Sequence, residues 1–156
     1  MAMDLPGILI VDDNEDDRYT LQLLLESDGH ERIASAASGN EAIALIEKEK
    51  FSLVLLDLMM PDLNGDEVLK VIKSDPDKRD IPVVMISADT DADKVSQCIE
   101  LGADDYGRKR LWSGQRSSEW TYFSQRCREF ISLRTLGSAP DTRTMNPRAS
   151  RRNVCP

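Results

Sequence analysis

Short apolar runs alternate with helix-spaced apolar positions along the first hundred or so residues. Ile8-Leu-Ile-Val11 is apolar at every position and stops abruptly at Asp12-Asp13-Asn14, as a strand buried on both faces would where it leaves the core. Leu21, Leu24 and Leu25 then recur at helical spacing until Asp28-Gly29 ends them. Ile33-Ala-Ser35 predicts a short second strand, and Asn40 is placed to cap a helix that buries Ala42, Leu45 and Ile46. Leu53-Val-Leu-Leu56 is the clearest strand and closes on Asp57. The loop Met59-Met-Pro-Asp-Leu-Asn-Gly65 leads into a helix with Val68, Leu69 and Ile72 inward. Ile81-Pro-Val-Val-Met-Ile86 predicts a fourth strand ending on Ser87. Val95, Cys98 and Ile99 mark a fourth helix with Gly102 as its C-terminal cap, and a poorly written fifth strand is expected around residues 105–109.

Strands alternating with helices at this spacing imply right-handed βαβ units and a parallel sheet covered on both faces. In such sheets ligands bind outside the carboxyl ends of the strands. The residues at those ends are Asp12, Asp13, Asp57, Ser87 and, if the fifth strand forms, Lys109.

Each of these residues has an ordinary explanation taken alone. A strand-end Asp is commonly a turn or helix-cap residue, Ser87 is ordinary loop chemistry, and a single Lys is usually solvated. Cys98 reads as core, and His30 beside Gly29 as a loop residue with no partner that would make it a base. The functional argument rests on the set. Three carboxylates meeting in one cleft repel one another, so the site either raises their pKa values or recruits a divalent cation. An all-oxygen cage without His or Cys suits Mg²⁺. With a nearby ammonium and a hydroxyl, the set has the parts of a phosphoryl-transfer site in which a carboxylate oxygen attacks.

The segments Ile8-Leu-Ile-Val-Asp-Asp-Asn14, Leu53-Val-Leu-Leu-Asp-Leu-Met-Met-Pro-Asp-Leu-Asn-Gly65, Val83-Val-Met-Ile-Ser-Ala88 and Gly102-Ala-Asp-Asp-Tyr106, with Lys109, resemble the receiver domain of two-component response regulators. The likeness covers about the first 110 residues in order and spacing. It implies a flavodoxin-like, doubly wound α/β fold with a five-stranded parallel sheet in the order 2-1-3-4-5. It also implies that Asp57 accepts a phosphoryl group from a sensor histidine kinase or a phosphotransfer protein. Asp12, Asp13, Asp57 and the Met59 backbone carbonyl would then hold Mg²⁺. Ser87 would be the switch hydroxyl, Tyr106 the switch aromatic, and Lys109 with the Ala88 backbone N–H the phosphate-binding groups. Pro61 and Gly65 would shape the loop after the acceptor. Phosphorylation would switch a downstream partner or output module, making the chain a signalling protein whose only catalysis is on itself. Phosphatases of the haloacid-dehalogenase type also use an Asp nucleophile with Mg²⁺, but they place an Asp-x-Asp pair after the first strand, where this chain has adjacent aspartates.

Charge divides the chain. Residues 1–106 hold 25 acidic and 9 basic side chains, a net −16, whereas residues 107–156 hold 3 and 11, a net +8. The acidic part excludes general nucleic-acid binding. No apolar run approaches the ~20 residues of a membrane helix, residues 1–6 lack the basic stretch of a signal peptide, and Cys98, Cys127 and Cys155 have no metal-type or paired spacing, so a cytoplasmic protein is expected. The resemblance fades at the break. Gly107 and Arg108 stand where apolar strand residues belong, and Arg110 where the family has Pro. The expected organisation is a receiver over 1–110, an atypical C-terminal helix within 111–136, and a basic disordered tail over 137–156. Trp120, Phe123, Cys127, Phe130 and Ile131 share one face of that helix, with Ser117 or Ser118 as its cap. Three accounts of the last 50 residues stay open: a core-covering helix with a frayed end, a basic arm for nucleic acid, or an out-of-frame or truncated continuation. With an impaired fifth strand, the same fold would be an interaction module independent of phosphorylation.

Overall fold

The computed structural model of the chain describes residues 7–88, 92–109 and 118–135. Five strands and five helices alternate through them: β1 (Gly7–Val11), α1 (Glu15–Ser27), β2 (Ile33–Ala36), α2 (Gly39–Lys48), β3 (Phe51–Asp57), α3 (Gly65–Ser74), β4 (Val83–Ser87), α4 (Ala92–Glu100), β5 (Asp105–Arg108) and α5 (Ser118–Thr135). All strand pairs are parallel, and the sheet order is β2-β1-β3-β4-β5. The expected fold class is thus observed, with β3 buried at every position in the centre of the sheet.

The period-two alternation of strand side chains divides the core in two. Leu9, Val11, Val54, Leu56, Val83 and Met85 point to one face, where Ala42, Ile46, Val68, Leu69, Ile72 and Cys98 of α2, α3 and α4 cover them. Ile8, Ile10, Leu53, Leu55, Val84 and Ile86 point to the other, against Leu21 and Leu25 of α1. Two helices are needed to close that second face. The second is α5, which contributes Trp120, Phe123, Cys127 and Phe130, all buried, with Ile131 at the margin.

Several local expectations are corrected. The N-cap of α2 is Ser38, whose hydroxyl accepts from the Glu41 backbone N–H at 3.2 Å, so Asn40 lies within the first turn and does not cap it. Leu45, Val95 and Leu24 are only partly buried, and Ile99 is exposed. Ser118 is the first residue of α5 itself, while Ser117, Arg110 and the tail over 137–156 lie outside the described residues. The fifth strand forms despite its composition. Its backbone pairs with β4 from Val84↔Asp105 to Ser87↔Arg108. The ladder bonds of a parallel strand come from the backbone, so Gly107 and Arg108 cost packing but not pairing.

Candidate functional site

The carboxyl edge of the sheet gathers the polar residues. Asp12 directly follows β1, Asp57 and Ser87 are the last residues of β3 and β4, and Lys109 follows β5. The β1–α1 connection is stiffened by its own hydrogen bonds. The Asp12 carboxylate accepts from the Asn14 backbone N–H at 2.9 Å, and the Asn14 side chain caps α1 by accepting from the Asp17 N–H at 3.1 Å. Arg18, one turn into α1, donates to the Asp12 carbonyl at 2.7 Å. After β3 the chain turns back on itself, and the Gly65 N–H donates to the Leu58 carbonyl at 2.9 Å. A Cβ on Gly65 would sit 2.1 Å from the Asp57 carbonyl oxygen, so only glycine allows α3 to start this close to the strand end.

One carboxylate oxygen from each of Asp12, Asp13 and Asp57 lies within 4.8 Å of the others. Asp12 and Asp57 are buried and Asp13 faces solvent. The Lys109 ammonium reaches Asp12 at 2.8 Å, Asp17 at 3.0 Å and Asp57 at 3.2 Å. An open cavity of about 440 Å³ lies over this group, and Asp13, Asp57, Met59, Ser87, Ala88 and Lys109 line it together with Asn14 and Asp17.

Charge is not balanced here. Burial, and then the neighbouring Asp12 charge, push the Asp57 carboxyl up to about 7, against the pull of Lys109. Partial burial works against the charged form of Lys109, but hydrogen bonds to Asp12 and Asp17 and the charge of Asp57 outweigh it and raise its pKa. One ammonium shared by several carboxylates holds its own proton firmly yet cannot neutralise them all. Hard oxygen donors carrying surplus negative charge fit a small divalent cation, and the Asp12, Asp13 and Asp57 set has that chemistry.

The other expected residues take less uniform places. Met59 is exposed, with its backbone N–H 3.4 Å from Asp57 Oδ1. Ser87 is buried at the cavity wall, and Ala88 follows it into the lining. Tyr106 is partly buried against the α2–α3–α4 side of the core and does not line the cavity. The Pro61 carbonyl accepts from Leu63 N–H at 2.9 Å within the loop, and Asp62 beside it has φ of 68°. Sequence reasoning missed Asp17. Its signal was available only in part: it lies three residues after Asn14, in the first turn of a helix that starts at the site.

A doubly wound parallel sheet with three carboxylates, a hydroxyl and a lysine at its carboxyl edge defines a flavodoxin-like class of α/β domains with an acidic site at the strand ends. Comparison with known proteins narrows the class to a family. The response regulator receiver domain profile matches residues 8–115, and the chain belongs to that family. Transcriptional regulatory protein AfsQ1 of Streptomyces coelicolor is 34% identical over 102 residues, covering 65% of this chain and 44% of its own length. The chain therefore spans less than half of that relative. The signal receiver domain of a DNA-binding response regulator from Colwellia psychrerythraea superposes with a TM-score of 0.72 at 26% identity, covering 81% of this chain and 98% of that one. The Mn(2+)-bound form of response regulator Rcp1 gives 0.63 at 26% identity, covering 82% and 91%. Response regulator receiver domains are signalling modules. Among the described residues no helix is long and apolar enough to cross a membrane.

Proposed function

We propose that Asp57 is the phosphoacceptor of a two-component relay and that its phosphorylation switches a downstream partner or output module. The donor is a phosphohistidine on a sensor histidine kinase or a phosphotransfer protein. A carboxylate oxygen of Asp57 attacks phosphorus, the new O–P bond forms as the P–N bond breaks, and the electron pair leaves with the imidazole nitrogen. Asp12, Asp13, Asp57 and the Met59 carbonyl would hold Mg²⁺, which when bound offsets negative charge on the phosphoryl oxygens. That the similar response regulator Rcp1 has an Mn(2+)-bound form supports a divalent cation as a ligand of this chain. Lys109 brings a second positive charge to the same oxygens, and the Ser87 hydroxyl with the Ala88 N–H receives the transferred group. Ser87 drawn toward the phosphoryl group leaves space that Tyr106 fills by turning inward, changing the face formed by α4 and β5. Slow hydrolysis of the acyl phosphate resets the switch. Buried free thiols at Cys98 and Cys127 suit the reducing cytoplasm in which such relays run.

The observation that carries this reading is a strand-end Asp57, buried among Asp12, Asp13 and Lys109 and open to a cavity. Radiolabelled acetyl phosphate with Mg²⁺ tests it. Wild type takes up label in an acid-stable, base-labile form and Asp57→Asn does not; equal labelling of the two refutes the site.

A further inference from the structure

Lys109 rests on three carboxylates, and one of them has no part in the reaction proposed above. An ammonium has three N–H donors, and here Asp12, Asp17 and Asp57 lie at 2.8, 3.0 and 3.2 Å. Asp12 and Asp57 belong to the group able to hold a cation, whereas Asp17 lies outside it. Asp17 occupies the third position of α1, where the Asn14 cap fixes its backbone. Gly107 of β5 precedes Lys109, and Arg110 follows where a proline would restrict the backbone.

We propose that Asp17 is a positioning residue for Lys109, holding its ammonium at the rim of the site when Asp12 and Asp57 engage Mg²⁺. The inference rests on the receiver reading of the site. A divalent cation on Asp12 and Asp57 repels the ammonium that occupies them in the metal-free protein. With Asp17 present the ammonium has a second seat next to the cavity, so the metal enters without expelling Lys109 from where the phosphoryl oxygens arrive. Without Asp17 the ammonium relies on Asp12 and Asp57 alone and competes with the metal for them.

Calorimetric Mg²⁺ titration of the full chain, with Asp17→Asn, Lys109→Met and the double variant, tests this. Asp17→Asn weakens Mg²⁺ binding about tenfold, the size common for partners that orient a metal site. In the Lys109→Met background the same substitution changes affinity by less than about twofold, because the competitor is gone. Asp17→Glu, which keeps the carboxylate, stays within about threefold of wild type. An equal loss in both backgrounds would mean that Asp17 acts as a bare charge on the metal, and would overturn the inference. Unchanged affinity in Asp17→Asn, with wild type binding normally, would overturn it too. If wild type shows no Asp57-dependent Mg²⁺ binding at all, the receiver reading of the site fails and this inference with it. Wild-type binding therefore tells the two failures apart.

Discussion

Gly65 and Asp57 show how tightly single residues set the site. A Cβ at Gly65 would meet backbone atoms of Asp57 and Leu58 at 2.1 and 2.9 Å, and neither can swing away as a flexible side chain would. Gly65→Ala must push α3 off the end of β3, so we expect a loss of about 2–3 kcal/mol in urea unfolding, together with slower phosphorylation of Asp57. Asp57→Asn should do the opposite to stability. The carboxyl is pushed up to about 7 in the folded protein, from an ordinary value near 3.8. The folded chain therefore holds the Asp57 proton over a pH range in which the unfolded chain has already lost it. Linkage then makes this group's contribution fall as pH rises from about 4 to about 7. In urea titrations with EDTA, Asp57→Asn should be more stable than wild type at pH 8, and the gap should close toward pH 4. A gap independent of pH would mean that Asp57 is not the strained charge. Asp12, Asp13 and Asp57 were legible in the sequence because residues at or just past a strand's carboxyl end lie at the edge where ligands bind. Asp17 was not, because the aim of a helical side chain depends on where the fold brings Lys109, 92 residues further along the chain.

At the scale of elements, α5 carries more than its helical pattern suggests. Trp120, Phe123, Cys127 and Phe130 cover strand residues that α1 alone leaves open. Around that apolar face the helix is fastened by polar contacts. Ser124 donates to Asp28 at 2.6 Å, and Arg126 pairs with Asp105 of β5 at 3.0 Å while lying 5.0 Å from the centre of the Phe130 ring. Phe130→Ala should therefore cost about 3–5 kcal/mol in denaturant unfolding. Exposed Gln125→Ala, on the same helix, should stay within about 0.5 kcal/mol. Equal effects would mean that α5 does not cover the sheet. The apolar face of this helix was readable from spacing alone. The strength of β5 was not, because Asp105–Arg108 carries little β-propensity and its order comes from β4 and from Arg126 on α5. The cap of α2 was misplaced for a related reason: Ser38 and Asn40 are both good capping residues, and the close seat of Gly39 against Leu63 and Val68 selects the earlier one.

At the scale of the molecule, the site works against the fold that holds it. Burying Asp57 beside Asp12 leaves negative charge in the core edge that Lys109 only partly offsets, so the metal-free protein carries a standing electrostatic cost. A cation bound by the folded state and not by the unfolded chain lowers that cost and raises stability by mass action, about 2.7 kcal/mol at a hundredfold excess over its dissociation constant. The melting temperature should thus rise with MgCl₂ and level off only logarithmically. Asp13 is the informative variant because it is the exposed member of the cluster and is not an ion-pair partner of Lys109. Asp13→Asn should leave the metal-free melting temperature nearly unchanged while removing most of the Mg²⁺-dependent rise. The rise should also shrink as pH falls below about 7, where a proton competes with the metal for Asp57. Monovalent salt at equal ionic strength separates specific binding from general screening, since screening acts on the whole acidic surface and would persist in Asp13→Asn. A rise of the same size in wild type and Asp13→Asn would mean that Mg²⁺ only screens the net charge of −8 and that the carboxyl edge holds no metal.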